Sequence, residues 1–180
     1  SVLEARADSF MASGYTPMAR ECFFRASEYY RAAEFFLHVD PGDPRLVETW
    51  RKSRDAFLQG AALASNPVLD VEIPFEDSFL PAYLCLVDES NEARPMILAH
   101  SGFDGTREEL YFSIGRYANE MGWNALLFEG PGQGQVIREQ EIPFRPDWEN
   151  VVGPVVDYAL ELDTTDPGNL ILVGYSMGGY

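Results

Sequence analysis

A serine between glycines stands at Gly174-Tyr175-Ser176-Met177-Gly178, directly behind the apolar run Leu170-Ile171-Leu172-Val173. A hydroxyl attacks a carbonyl only when a base takes its proton, and the attack leaves a negative oxygen that needs hydrogen-bond donors. The pattern G-x-S-x-G meets the backbone side of that demand when it follows a buried strand. Glycines two residues either side of the serine accept a sharply folded turn, which lifts the serine oxygen clear of the sheet's C-terminal edge. Ligands of open α/β sheets bind at that edge. One oxyanion donor is then the N–H of Met177, the residue after the nucleophile. The other should come from the loop behind an earlier strand, and the stretch from Ala99 to Thr106 (AHSGFDGT) has that place. Gly102 lets the backbone approach closely, which selects the N–H of Phe103.

The remaining reactive residues are few. The two histidines are His38 and His100. His100 ends a strand beside the oxyanion loop, where it is expected to brace the loop rather than act as base, and His38 at a helix end reads as structural. With two histidines and no cysteine at metal-ligand spacing, no metal site is expected. Cys22 and Cys85 are expected to be buried free thiols. The run Glu129-Gly-Pro-Gly-Gln-Gly-Gln135 lacks the G-x-G-x-x-G spacing and a phosphate-binding lysine, so it is read as a tight loop over the catalytic edge. No cofactor is implied.

The elements that must position these groups fall into two stretches, 1–65 and 66–180. The first reads as three helices. One ends at Gly14; a second starts with Thr16 as cap and Pro17 in the first helical position; a third is opened by Asp43 and Pro44. Their aromatic residues serve packing first and could also line a substrate pocket. From Asn66 the period changes. Val71, Ile73 and Phe75, then Leu80, Ala82, Leu84 and Leu86, alternate as an antiparallel pair at a sheet edge. Three apolar runs follow, Met96–His100, Asn124–Glu129 and Asn169–Tyr175, each expected to be a buried strand of a parallel sheet. A helix from Thr106, capped with Glu109, separates the first two. A second helix over Arg145–Leu162 separates the others, and Pro154 within it predicts a kink or a helix start. Strand–helix–strand order implies an α/β fold, a mostly parallel sheet covered by helices on both faces.

Net charge is -16, and it is unevenly placed: residues 1–65 carry 9 acidic and 8 basic side chains, residues 66–180 carry 20 and 5. Such a field repels nucleic acid and anionic membrane surfaces, so neither is an expected partner. No apolar run reaches the length of a membrane span and the N-terminus has no signal-like core, which predicts a cytoplasmic protein.

In order behind a helical N-terminal segment, HSGFDGTREEL, FEGPGQGQ, FRPDWENVV and VGYSMGGY resemble the α/β-hydrolases. More narrowly, they resemble the branch that contains 2,6-dihydropseudooxynicotine hydrolase and fungal polyketide-shortening hydrolases of pigment pathways. The resemblance runs over essentially the whole chain. It implies a serine hydrolase with a helical lid in residues 1–65, often a homodimer, without cofactor, acting on a small-molecule carbonyl compound. Some relatives cleave a C–C bond beside a ketone, others are esterases, acyltransferases or peptidase-like. Carried over by position, Ser176 matches the nucleophile and Phe103 and Met177 the oxyanion donors. The family's triad acid and histidine follow the serine in chain order, so the chain is expected to be an N-terminal portion, incomplete at its C-terminus and inactive alone. A non-catalytic ligand-binding protein or an inactive remnant on the same fold is the competing reading.

Overall fold

A computed structural model describes residues 1–179. The chain divides into two compact units, Ser1–Ser65 and the residues from Asn66 on.

The first unit is three helices, α1 (Val2–Ala12), α2 (Thr16–Phe35) and α3 (Pro44–Ala61), with a 3-10 turn at Phe36–Val39. Ser1 and Glu4 form a capping box on α1, and the Asp43 carboxylate accepts from the Arg45 N–H at the start of α3. Thr16 does not cap α2. The carbonyl of Tyr15 already accepts from Met18 and Ala19, so the helix begins one residue earlier than its sequence pattern suggests. Ala7, Ala19, Cys22 and Phe23 form one buried cluster, and the rings of Phe24 and Phe57 pack with centroids 5.6 Å apart. Within α2, Glu34 is buried and held by Arg31 and His38, each at 2.7 Å, which gives His38 a structural place.

The second unit is built on a five-stranded sheet, β1 (Val68–Phe75), β2 (Ser78–Cys85), β3 (Arg94–His100), β4 (Asn124–Phe128) and β5 (Thr165–Gly174), in the order β1-β2-β4-β3-β5. β1 and β2 are antiparallel at one edge, β2 meets β4 antiparallel, and β3 runs parallel to both β4 and β5. Helices cover both faces. Val151, Val155 and Ala159 of α7 (Glu149–Glu161) bury Leu80, Ala82, Leu84, Leu98, Leu126 and Phe128. The opposite side chains, among them Cys85 and Leu127, meet Gly115. That glycine lies in a helical segment made of α4 (Arg107–Leu110), a π-helical turn at Tyr111–Gly115 and α5 (Arg116–Glu120). Thr106 and Glu109 cap α4 reciprocally.

Three features depart from the sequence pattern. Pro154 neither starts nor ends a helix: α7 runs through it from Glu149. The carbonyl its missing N–H leaves unpartnered is that of Asn150, in the exposed first turn where water can serve it. A short helix, α6 (Gly134–Glu139), follows the glycine-rich loop. β5 is not a buried strand. Ile171 and Leu172 are 39% and 51% exposed, because β5 lies at the sheet's edge and pairs only with β3 among the described residues.

Candidate active site

The parallel pairing of β3 with β5 places His100 opposite Gly174, so both strands end at one edge. Beyond that line the chain turns at Ser176, whose φ is +54°. A left-handed backbone is unusual for a residue other than glycine; Glu76 and Glu141 share it here. Tyr175 N–H donates to His100 O at 3.1 Å and Gly178 N–H to Tyr175 O at 2.8 Å, which closes the turn on the β3 end. A Cβ on Gly174 would strike the Gly178 carbonyl, and one on Gly178 would strike Ser101 O and the His100 ring. The glycines flanking Ser176 are therefore required by space.

The loop after β3 lies against this turn. A Cβ on Gly102 would stand 2.9 Å from Tyr175 O and 3.0 Å from both Met177 N and Ser176 Cβ. Ser176, Met177 and the Gly102–Phe103 peptide are thus brought together from segments some 70 residues apart. The Ser176 side chain is exposed, and its hydroxyl has no hydrogen-bond partner among the described residues. The Phe103 ring, 66% exposed, stacks on Phe144 with planes 5° apart. Phe144 continues to Trp148, and Trp148 to His100. Phe144, Trp148 and His100, with Val152, Leu172 and Met177, line a mainly apolar cavity of about 770 Å³ beside the turn.

His100 is 2% exposed and packs between Phe128 and Trp148. Its Nδ1 donates to Ser101 O at 3.2 Å. Burial pushes its pKa below the usual 6.5, partly opposed by that hydrogen bond. A neutral imidazole committed to a loop carbonyl is a brace.

Two residues at the end of β4 escaped sequence reasoning. Gln133 is buried, and its Nε2 donates to Ser101 O and, at 3.1 Å, to Gly102 O. Its Oε1 accepts from the Gly130 N–H at 2.9 Å. Glu129, also buried, accepts from the N–H of Arg107 at 2.9 Å and of Gln135 at 2.8 Å. Burial, then the nearby Glu108 carboxylate, pushes its pKa up to about 7, with Arg107 opposing. The buried Arg107 guanidinium sits 4.0 Å over the Tyr83 ring and donates to Asp70 at 2.6 Å and to Gln135 at 2.9 Å. A glutamate directly behind four buried apolar strand residues was the available signal, since a buried carboxylate needs partners. Among the described residues no group of three or more His, Cys, Asp or Glu side chains is arranged to hold a metal ion.

No family model matches the chain. It is 38% identical over 190 residues to the alpha/beta hydrolase psoB of Aspergillus fumigatus, covering 98% of this chain and 43% of that protein. It is also 38% identical over 184 residues to the hydrolase LUC6 of a Fusarium species, covering 98% and 44%. The chain belongs to the α/β-hydrolases. Among solved structures, 2,6-dihydroxy-pseudo-oxynicotine hydrolase superposes with a TM-score of 0.84 at 24% identity, over 98% of this chain and 48% of that one. That likeness shows the α/β-hydrolase fold. The chain spans under half the length of the curated relatives it matches. No helix among the described residues is long and apolar enough to cross a membrane.

Proposed function

We propose that this α/β-hydrolase chain carries the nucleophile and oxyanion hole of a serine hydrolase acting on a small apolar or aromatic carbonyl compound. The observation that carries the reading is the left-handed Ser176 packed against Gly102, with Met177 N beside it. Ser176 Oγ attacks the carbonyl carbon and its proton passes to a base. The oxyanion is received by the N–H groups of Met177 and Phe103. Collapse breaks the bond to the leaving group, which takes the proton, and water then hydrolyses the acyl-enzyme. The base and its orienting carboxylate come from outside residues 1–179 in this reading, because His100 is committed to Ser101 O. The cavity walled by Phe144, Trp148 and Val152 favours an apolar acyl or ketone portion. Ester and C–C substrates both fit this scheme; product analysis on a ketone separates them.

The test is Ser176→Ala in the full-length protein. Turnover of p-nitrophenyl acetate should fall by about 10³-fold or more, and labelling by a fluorophosphonate should vanish. Wild-type turnover in that variant would sink the assignment.

A further inference from the structure

Gln133 joins two loops through both ends of one amide. Oε1 accepts from Gly130 N–H, while Nε2 donates to the carbonyls of Ser101 and Gly102. The orientation is chemically determined: reversed, the amide would set N–H against N–H and oxygen against two oxygens. The loop that carries it is itself pinned. Both carboxylate oxygens of Glu129 take backbone N–H groups, from Arg107 and Gln135, and a Cβ on Gly134 would collide with that carboxylate.

The Gly102 carbonyl belongs to the peptide that ends in the Phe103 N–H. No cis peptide bond is present, and in a planar trans peptide the C=O and N–H point in opposite directions. Holding Gly102 O on the Gln133 side therefore turns the Phe103 N–H away from Gln133. The Phe103–Phe144 stack is a contact between rings and makes no bond to the Gly102–Phe103 peptide. We propose that Gln133 is a positioning residue that sets the Phe103 N–H as an oxyanion donor by holding the Gly102 carbonyl. This rests on the serine-hydrolase reading above, and it adds a residue that acts through the Gly102–Phe103 peptide.

The experiment compares Gln133→Glu and Gln133→Met with wild type in the full-length protein. Readouts are p-nitrophenyl acetate kinetics across pH, with far-UV circular dichroism as the check of fold. Glutamate keeps the acceptor for Gly130 N–H but, ionised, has no donor and faces two carbonyl oxygens. Its kcat should fall about 10- to 100-fold with KM within about twofold, since a misaligned oxyanion donor weakens only the transition state. As pH drops and the carboxyl gains a proton, the ratio of its kcat to wild type at the same pH should rise. Methionine should lose a similar factor at every pH, with no acid recovery. Wild-type kcat in either folded variant, a loss carried by KM, or an acid response absent in the glutamate variant would overturn the assignment. So would loss of fold in both variants, which would make Gln133 a structural support. Ser176→Ala separates the two readings. Turnover that survives Ser176→Ala refutes the nucleophile, whereas Ser176-dependent turnover indifferent to Gln133 refutes only the positioning role.

Discussion

Replacing Gly102 with alanine introduces one methyl group between the loop after β3 and the turn that carries Ser176. Its carbon would stand 2.9 Å from Tyr175 O, 3.0 Å from Met177 N and 3.0 Å from Ser176 Cβ. Ordinary contact lies at roughly 3.5–4.0 Å, so the two segments must part by about 0.5–1 Å. Two of the three neighbours are backbone atoms, and no side chain can swing aside. Gly102 is absent from the left-handed glycines, so alanine suits its backbone and the effect is steric. A shift of about 1 Å in a group that meets the transition state can cost about 10²-fold in rate. Overpacking of this kind costs about 1–3 kcal/mol in stability. Gly102→Ala in the full-length protein should therefore lose about 10- to 100-fold in kcat for p-nitrophenyl acetate. KM should stay near wild type, and thermal unfolding should begin several degrees lower. A kcat within twofold of wild type, with an unchanged melting temperature, would refute the close packing on which the site rests.

Two further outcomes test the walls of the site. Burial holds His100 below its usual pKa of 6.5, so the unfolded chain takes up this proton at a higher pH than the folded one. Its contribution to stability is full above about 6.5 and falls as pH drops below that value. The urea midpoint of wild type should therefore decline more steeply between about pH 6.5 and pH 5 than that of His100→Gln, and equal slopes would contradict the buried neutral brace. Phe144→Ala removes the ring stacked on Phe103 and one side of the apolar cavity. An aromatic contact is worth about 0.5–1.5 kcal/mol, so KM for an aromatic ester should rise about 3- to 10-fold while KM for the acetate moves little. Steady-state kinetics on both esters reads this directly.

Much of the scaffold was legible because its signals are local. Apolar alternation located β1 and β2, and continuous apolar runs located β3, β4 and β5. The pair Thr106 and Glu109 announced the start of α4, and the glycines around Ser176 announced a turn that the backbone does make at φ +54°. The failures are local rules overruled by neighbours. Thr16 looks like a cap, yet the Tyr15 carbonyl already receives the first helical bonds. Pro154 could have started a helix, yet α7 begins five residues before it, at Glu149, and the residue whose carbonyl it deprives, Asn150, is exposed.

The linear chain by itself marked the glycine-flanked serine and most of the strands and helices, because backbone conformation and apolar period are written within a few neighbours. Tertiary structure alone decided that β4 lies between β2 and β3, and that β5 pairs with β3. It also decided that Gln133 reaches back some 31 residues to hold the Gly102 carbonyl. Strand order and hydrogen bonds between distant loops leave no period in a sequence, since they depend on which surfaces bury each other. For that reason the glycine-flanked serine could be found by reading the chain, and the amide that ties the Ser101 and Gly102 carbonyls to the loop after β4 could be found only in the fold.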